Sequence, residues 1–231
     1  IDNLITMMVG RELSSKYNSE RSARASSKVP ILEVKNLTRR DNYIKGINFT
    51  LYKGEVLGFS GLIGAGRTEL MEAIFGAVPL KNGEIRLEGK IIRNRTPYDS
   101  VKNGIAMVTE NRRETGFFYN FNIKKNISIV KQIKESHLGG LSGLINYKEE
   151  NDLAVEQKQI LSIKCSSVGQ NITELSGGNQ QKVILGKWSA ANQKVVIFDE
   201  PTRGIDVGTK AEIYKMMRAL AEKGIGVLFV S

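Results

Sequence analysis

The chain has 231 residues, 41% of them hydrophobic and 25% charged, which suits one α/β domain, or a domain with a tail, and excludes disorder throughout. No apolar run reaches the ~18 residues of a membrane-spanning helix, and no basic-then-apolar stretch opens the chain. A single cysteine (Cys165) precludes an internal disulfide, a single histidine (His137) excludes His-rich metal sites, and a net charge of +10 suits an anionic partner: nucleotide, nucleic acid or acidic membrane surface.

Residues 1–13 place Leu4, Ile5 and Met8 at helical spacing, and the Ser-rich, basic stretch 14–28 reads as a linker. Together they predict the tail of a preceding domain, followed by one domain over 29–231 that is cut short after its last strand. Strands are predicted at 31–38, 47–54 and 55–60, the last short and buried. A glycine-rich loop (61–66) leads into a helix over 67–77. A hairpin strand follows at 83–90 and an apolar run at 104–110. Residues 111–175 are mixed, with a helix at 148–163. A helix at 178–191 precedes a core strand at 194–200. A helix over 209–224 carries Ile213, Met216, Met217 and Leu220 on one face and stops at Gly224, before a final GVLFV strand. Strands alternating with helices predict a largely parallel sheet covered by helices.

The segment Gly61, Leu62, Ile63, Gly64, Ala65, Gly66, Arg67, Thr68 fits the phosphate-loop pattern G-x-x-x-x-G-K-[ST] with one deviation. Its glycines free the backbone to turn N–H groups onto a phosphate, and the following helix points its positive end at the same place. Thr68 offers a hydroxyl to Mg2+. The deviation is Arg67: a planar guanidinium cannot copy a compact ammonium, yet it can clasp phosphate oxygens in pairs. The segment VVIFDEPT, Val195 to Thr202, puts two carboxylates at the C-terminal edge of a buried strand. Asp199 is placed to hold Mg2+, and Glu200 to orient or deprotonate a water attacking a γ-phosphate. The segment Leu175, Ser176, Gly177, Gly178, Asn179 opens a helix, a second anion-binding N-terminus.

At LSGGNQQK the sequence resembles the ATP-binding cassette (ABC) ATPases, whose signature reads LSGGQ, and the loop, signature and acidic strand follow in that family's order. The segments GLIGAGRTEL, VTENRRETGFF, NITELSGGNQQK and FDEPTRGIDVGTKAEIY resemble the second cassette of tandem sugar-import ATPases, most closely the allose and ribose members. The resemblance implies an α/β P-loop NTPase fold of the ABC type: a mostly parallel sheet core, an antiparallel β part and a helical subdomain at about 111–180. It implies ATP and Mg2+ as cofactors. It also implies an ATP sandwich in which this chain's signature completes the site of a first cassette in the same polypeptide. Asp206 falls at the D-loop, and Glu110 stands where the family has Gln, within reach of Mg2+. Asn179 replaces the signature's last Gln. An adenine-stacking residue is to be sought among Arg39, Arg40 and Tyr43.

The implied partners are membrane permease subunits and, indirectly, a sugar-binding protein, with no nucleic acid, at the cytoplasmic face of the membrane. The aromatic cluster 117–121 is either the permease contact or local core, and Arg112 and Arg113 either reach a phosphate or partner or form a solvated turn. Trp188, Met216 and Met217 are expected in the core, and Cys165 as a buried small hydrophobe. Arg67 and Glu110 predict weak hydrolysis at this chain's own site. Two alternatives stay open: a non-catalytic nucleotide-binding partner domain, and an ABC ATPase acting on nucleic acid, against which the basic residues are scattered rather than striped.

Overall fold

The computed structural model describes residues 29–135, 147–204 and 207–231. The predicted N-terminal helix and linker, His137 and Asp206 lie outside the described residues. In chain order the elements are β1 (Pro30–Arg39), β2 (Ile47–Tyr52), β3 (Val56–Phe59), α1 (Arg67–Phe75), β4 (Leu80–Leu87), β5 (Lys90–Ile92), α2 (Pro97–Asn103), β6 (Ile105–Val108), α3 (Ile123–Glu135), α4 (Tyr147–Ile160), α5 (Gly177–Ser189), β7 (Val195–Asp199), α6 (Val207–Glu222) and β8 (Gly226–Val230).

Two four-stranded sheets form. An antiparallel sheet runs in the order β2-β1-β4-β5, and a parallel sheet in the order β3-β8-β7-β6. The parallel strands β6 and β7 are buried along their whole length. Their unbroken apolar runs, IAMV and VVIF, suit strands covered on both faces. β3 departs from its predicted burial. Among the described residues it is an edge strand paired only with β8, and Val56 is 41% exposed. The two sheets meet where Gly226 opens β8. A Cβ there would fall 2.7 Å from both Ile31 and Leu51, so any larger residue would have to push these buried side chains aside. Phe49 and Phe59 close the same seam edge-to-face, their ring centroids 5.2 Å apart.

α3, α4 and α5 form the helical part. α5 comes close through Gly186, where a Cβ would sit 3.3 Å from Leu161 and 3.6 Å from Ile127. α3 is absent from the predicted elements of the mixed stretch, although Ile123, Ile127 and Val130 bury one face at helical spacing. α2 is likewise unpredicted. Its signal is a capping box, Thr96 with Asp99, followed by Pro97 at the first helical position. Trp188 is in the core against Phe75, ring centroids 6.2 Å apart, and Met217 is buried, as expected. Met216 and Cys165 are half-buried against the core rather than inside it. Gly224, at φ 81°, stops α6 by donating its N–H to the Ala221 carbonyl.

Candidate functional site

The phosphate loop leaves β3 and enters α1 at Arg67, the predicted strand–loop–helix context. Gly64 and Gly66 take left-handed conformations at φ 82° and 79°. At Gly66 a Cβ would lie 2.6 Å from Ile44 Cδ1 and 3.2 Å from the Tyr43 ring, so the loop is packed from beneath. From Gly61 to Ala65 it is open to solvent, with Leu62 86% and Ile63 100% exposed. Of the three adenine-stacking candidates, Tyr43 is the one touching this loop: its hydroxyl donates to the Gly64 carbonyl at 2.6 Å. Arg39 instead pairs with Asp41 at 2.8 Å, and its guanidinium lies 5.9 Å from the Tyr43 ring centroid. Arg40 is exposed.

Thr68 and Asp199 meet although 131 residues separate them: Thr68 Oγ1 donates to Asp199 Oδ1 at 3.0 Å. Asp199 is 1% exposed. Burial, assisted by the charges of Glu200, Glu72 and Glu69, raises its carboxyl from 3.8 to about 6, against the opposing Thr68 hydrogen bond. A buried acid forced upward in this way suits a cation. The two hard oxygen donors fit Mg2+, whose remaining ligands would come from phosphate and water. Among the described residues no cluster of three His, Cys, Asp or Glu side chains forms a closed metal cage. Arg67 takes another course. Its Nη1 donates to the Ser231 carbonyl at 2.6 Å, so the guanidinium is held at the end of β8.

Glu200 follows β7 at φ 43°, a left-handed conformation costing a non-glycine residue of order 1–3 kcal/mol. Strain of this kind persists only where the surrounding structure over-determines the backbone. The Glu200–Arg203 turn closes through the Arg203 N–H on the Glu200 carbonyl at 3.1 Å. Glu110, two residues past β6, forms an ion pair with Arg203. Sequence reading did not single out Arg203. No local pattern marks it, because its partner is reached only through the pairing of β6 with β7.

The signature opens α5 with Ser176, an exposed residue, at the N-cap. Asn179 braces it, donating from Nδ2 to Ser176 Oγ at 3.0 Å while its Oδ1 accepts from the Lys164 N–H at 2.8 Å. Leu175 is buried beneath, and Gly178 lies in the first turn. Arg112 packs on the signature: a Cβ at Gly177 would fall 2.6 Å from its Nη2. Arg113 is exposed. Arg112 starts one turn of π-helix that ends at Gly116. That end is tied to the same helix by Lys187, whose buried ammonium donates to the Gly116 carbonyl at 2.6 Å. Burial lowers its pKa from 10.5 to about 8. Lys187 is a second residue the sequence did not reveal; a lysine on a helix reads as a solvated charge until tertiary packing covers it. The aromatic cluster divides: Phe117 is buried, whereas Phe118 and Tyr119 are about half exposed.

Residues 44–203 match the family model described as ABC transporter. The D-allose import ATP-binding protein AlsA of Escherichia coli (strain K12) is 49% identical over 232 residues, covering 100% of this chain and 46% of that protein. A ribose import ATP-binding protein RbsA of Oceanobacillus iheyensis is 42% identical, over 100% of this chain and 45% of its own length. The chain thus spans about half the length of the curated relatives it matches. The ATP-binding cassette MJ0796, solved as a dimer in a post-hydrolysis state bound to ADP and Pi, shares the fold at 19% identity, with a TM-score of 0.72 over 87% of this chain and 88% of its own.

Proposed function

Since the chain belongs to the ABC transporter family as one of its ATP-binding domains, we propose that it binds Mg2+-ATP and powers carbohydrate import through membrane permease subunits. The observation that carries the reading is the Thr68–Asp199 hydrogen bond, which joins the end of the phosphate loop to the acidic strand end. In this reading the loop amides and the α1 N-terminus receive the phosphates, and Tyr43 beside the loop stacks on adenine. Thr68 and Asp199 would hold Mg2+, which neutralises phosphate charge when bound. Glu200 orients and deprotonates the attacking water from the end of β7.

The signature Leu175–Asn179 faces the nucleotide of a first cassette in the same polypeptide. Phe118 and Tyr119 dock against the permease, and a sugar-binding protein delivers a ribose- or allose-like sugar. No helix among the described residues is long and apolar enough to cross a membrane. In this reading the domain works from the cytoplasmic face as a peripheral subunit. Ser176→Arg blocks the partner's nucleotide in this arrangement and abolishes transport; full activity in that variant refutes it.

A second reading, a partner domain that binds nucleotide without hydrolysing it, draws on Arg67, whose guanidinium is engaged by the Ser231 carbonyl. Calorimetry of Mg2+-ATP binding tests the main proposal. Wild type binds, Arg67→Ala weakens binding about tenfold, and Arg67→Lys restores it. Absence of binding by wild type overturns it. Turnover with Glu200→Gln separates the two readings, because unchanged turnover assigns the chemistry to the partner site.

A further inference from the structure

Resting on the nucleotide-binding reading above, we infer that Arg203 is a positioning residue that neutralises Glu110 and holds it aside, so that the pair does the work of one uncharged side chain next to the γ-phosphate.

The geometry begins with strand pairing. β6 and β7 are adjacent and parallel, with Val108 opposite Phe198. Glu110 and Glu200 each lie two residues beyond that pair, so two carboxylates leave neighbouring strand ends side by side. Asp199 adds a third acidic group to the same edge. This edge must accept a polyanion, and each uncompensated carboxylate there opposes it. The chain answers locally. The Glu200–Arg203 turn folds back on the Glu200 carbonyl and brings the Arg203 guanidinium to the Glu110 carboxylate. Arg203 is 70% exposed and Glu110 31%. A pair this open adds little to folding stability. Its consequence lies in the field felt by an incoming phosphate, where a neutral pair and a bare carboxylate differ by one charge.

The test is a double-mutant cycle on the intact protein, with Mg2+-ATP and Mg2+-ADP titrated calorimetrically against wild type, Arg203→Ala, Arg203→Lys, Glu110→Gln and the Glu110→Gln/Arg203→Ala double variant. Arg203→Ala is expected to weaken Mg2+-ATP binding about tenfold and Mg2+-ADP less than about threefold, with no change in melting temperature. Arg203→Lys restores binding to within about threefold of wild type. In the Glu110→Gln background the alanine substitution costs less than about twofold. Equal losses in both backgrounds, equal losses for ATP and ADP, or no loss at all overturn the inference and leave nucleotide binding standing. Wild type that binds no nucleotide removes the proposed function and this inference with it. Arg203→Gln replaces the alanine variant if that protein fails to fold.

Discussion

Asp199 shows how a single residue couples folding to ligand binding. Its carboxyl is raised from 3.8 to about 6, so between those pH values the folded state keeps a proton that the unfolded state has released. Stability therefore declines as pH rises through that window. At pH 7 the ionised group costs about 1–2 kcal/mol, allowing for water at the open side of the site. Asp199→Asn is expected to raise the unfolding free energy of the nucleotide-free protein by about that amount at pH 7, a gain that fades toward pH 4. Paired guanidinium titrations at the two pH values measure it. The same protonation weakens Mg2+-nucleotide binding as pH falls below about 6, which calorimetry across pH 5–8 would follow. The sequence placed Asp199 and Glu200 at a strand end and Thr68 in the first turn of the helix after the glycine loop, because local pattern marks such places. It could not supply the Thr68–Asp199 contact or the positive φ of Glu200, since both depend on neighbours far along the chain.

At the scale of elements, the stretch from β6 to α3 behaves as a strut. Asn126, 1% exposed on α3, accepts the Phe118 N–H at 2.8 Å, and its amide shares two hydrogens among the carbonyls of Phe118, Phe121 and Asn122 at 3.1–3.2 Å. One side chain thus pins the loop that carries the exposed aromatics. Asn126→Ala takes away the partner of the Phe118 N–H and of the Phe121 carbonyl and is expected to cost about 1–3 kcal/mol in urea unfolding. Amide exchange at Phe118 should quicken more than that of β7. Upstream, Arg112 on Gly177 and Lys187 on Gly116 fasten the π-turn to both ends of the signature helix. These ties explain why local pattern is uninformative over residues 111–122, which are organised by contacts to α5 and α3, whereas α3 itself carries a helical spacing of apolar residues. α2 differs, because its capping box is a local signal that the sequence does carry.

For the whole molecule, the seam between the antiparallel and parallel sheets rests on Gly226. Gly226→Val forces a side chain into Ile31 and Leu51 and is expected to destabilise by about 1–3 kcal/mol, lowering the melting temperature by roughly 2–4 °C per kcal/mol. Gly58→Ala, where a Cβ meets nothing within 4 Å, serves as the control in the same calorimetric scan. The sequence by itself determined the fold class, the order of the nucleotide-binding segments and nearly all the residues that carry the proposed chemistry. Glycine spacing, helix starts and acidic strand ends are short-range patterns enforced by backbone geometry and charge. Only the tertiary structure decided which of those residues touch. It joined Thr68 to Asp199, drew Arg67 to Ser231, selected Tyr43 beside the loop and set Arg203 against Glu110. These contacts arise from strand order and helix packing. Both join residues distant along the chain, so neither leaves a periodic trace in the sequence.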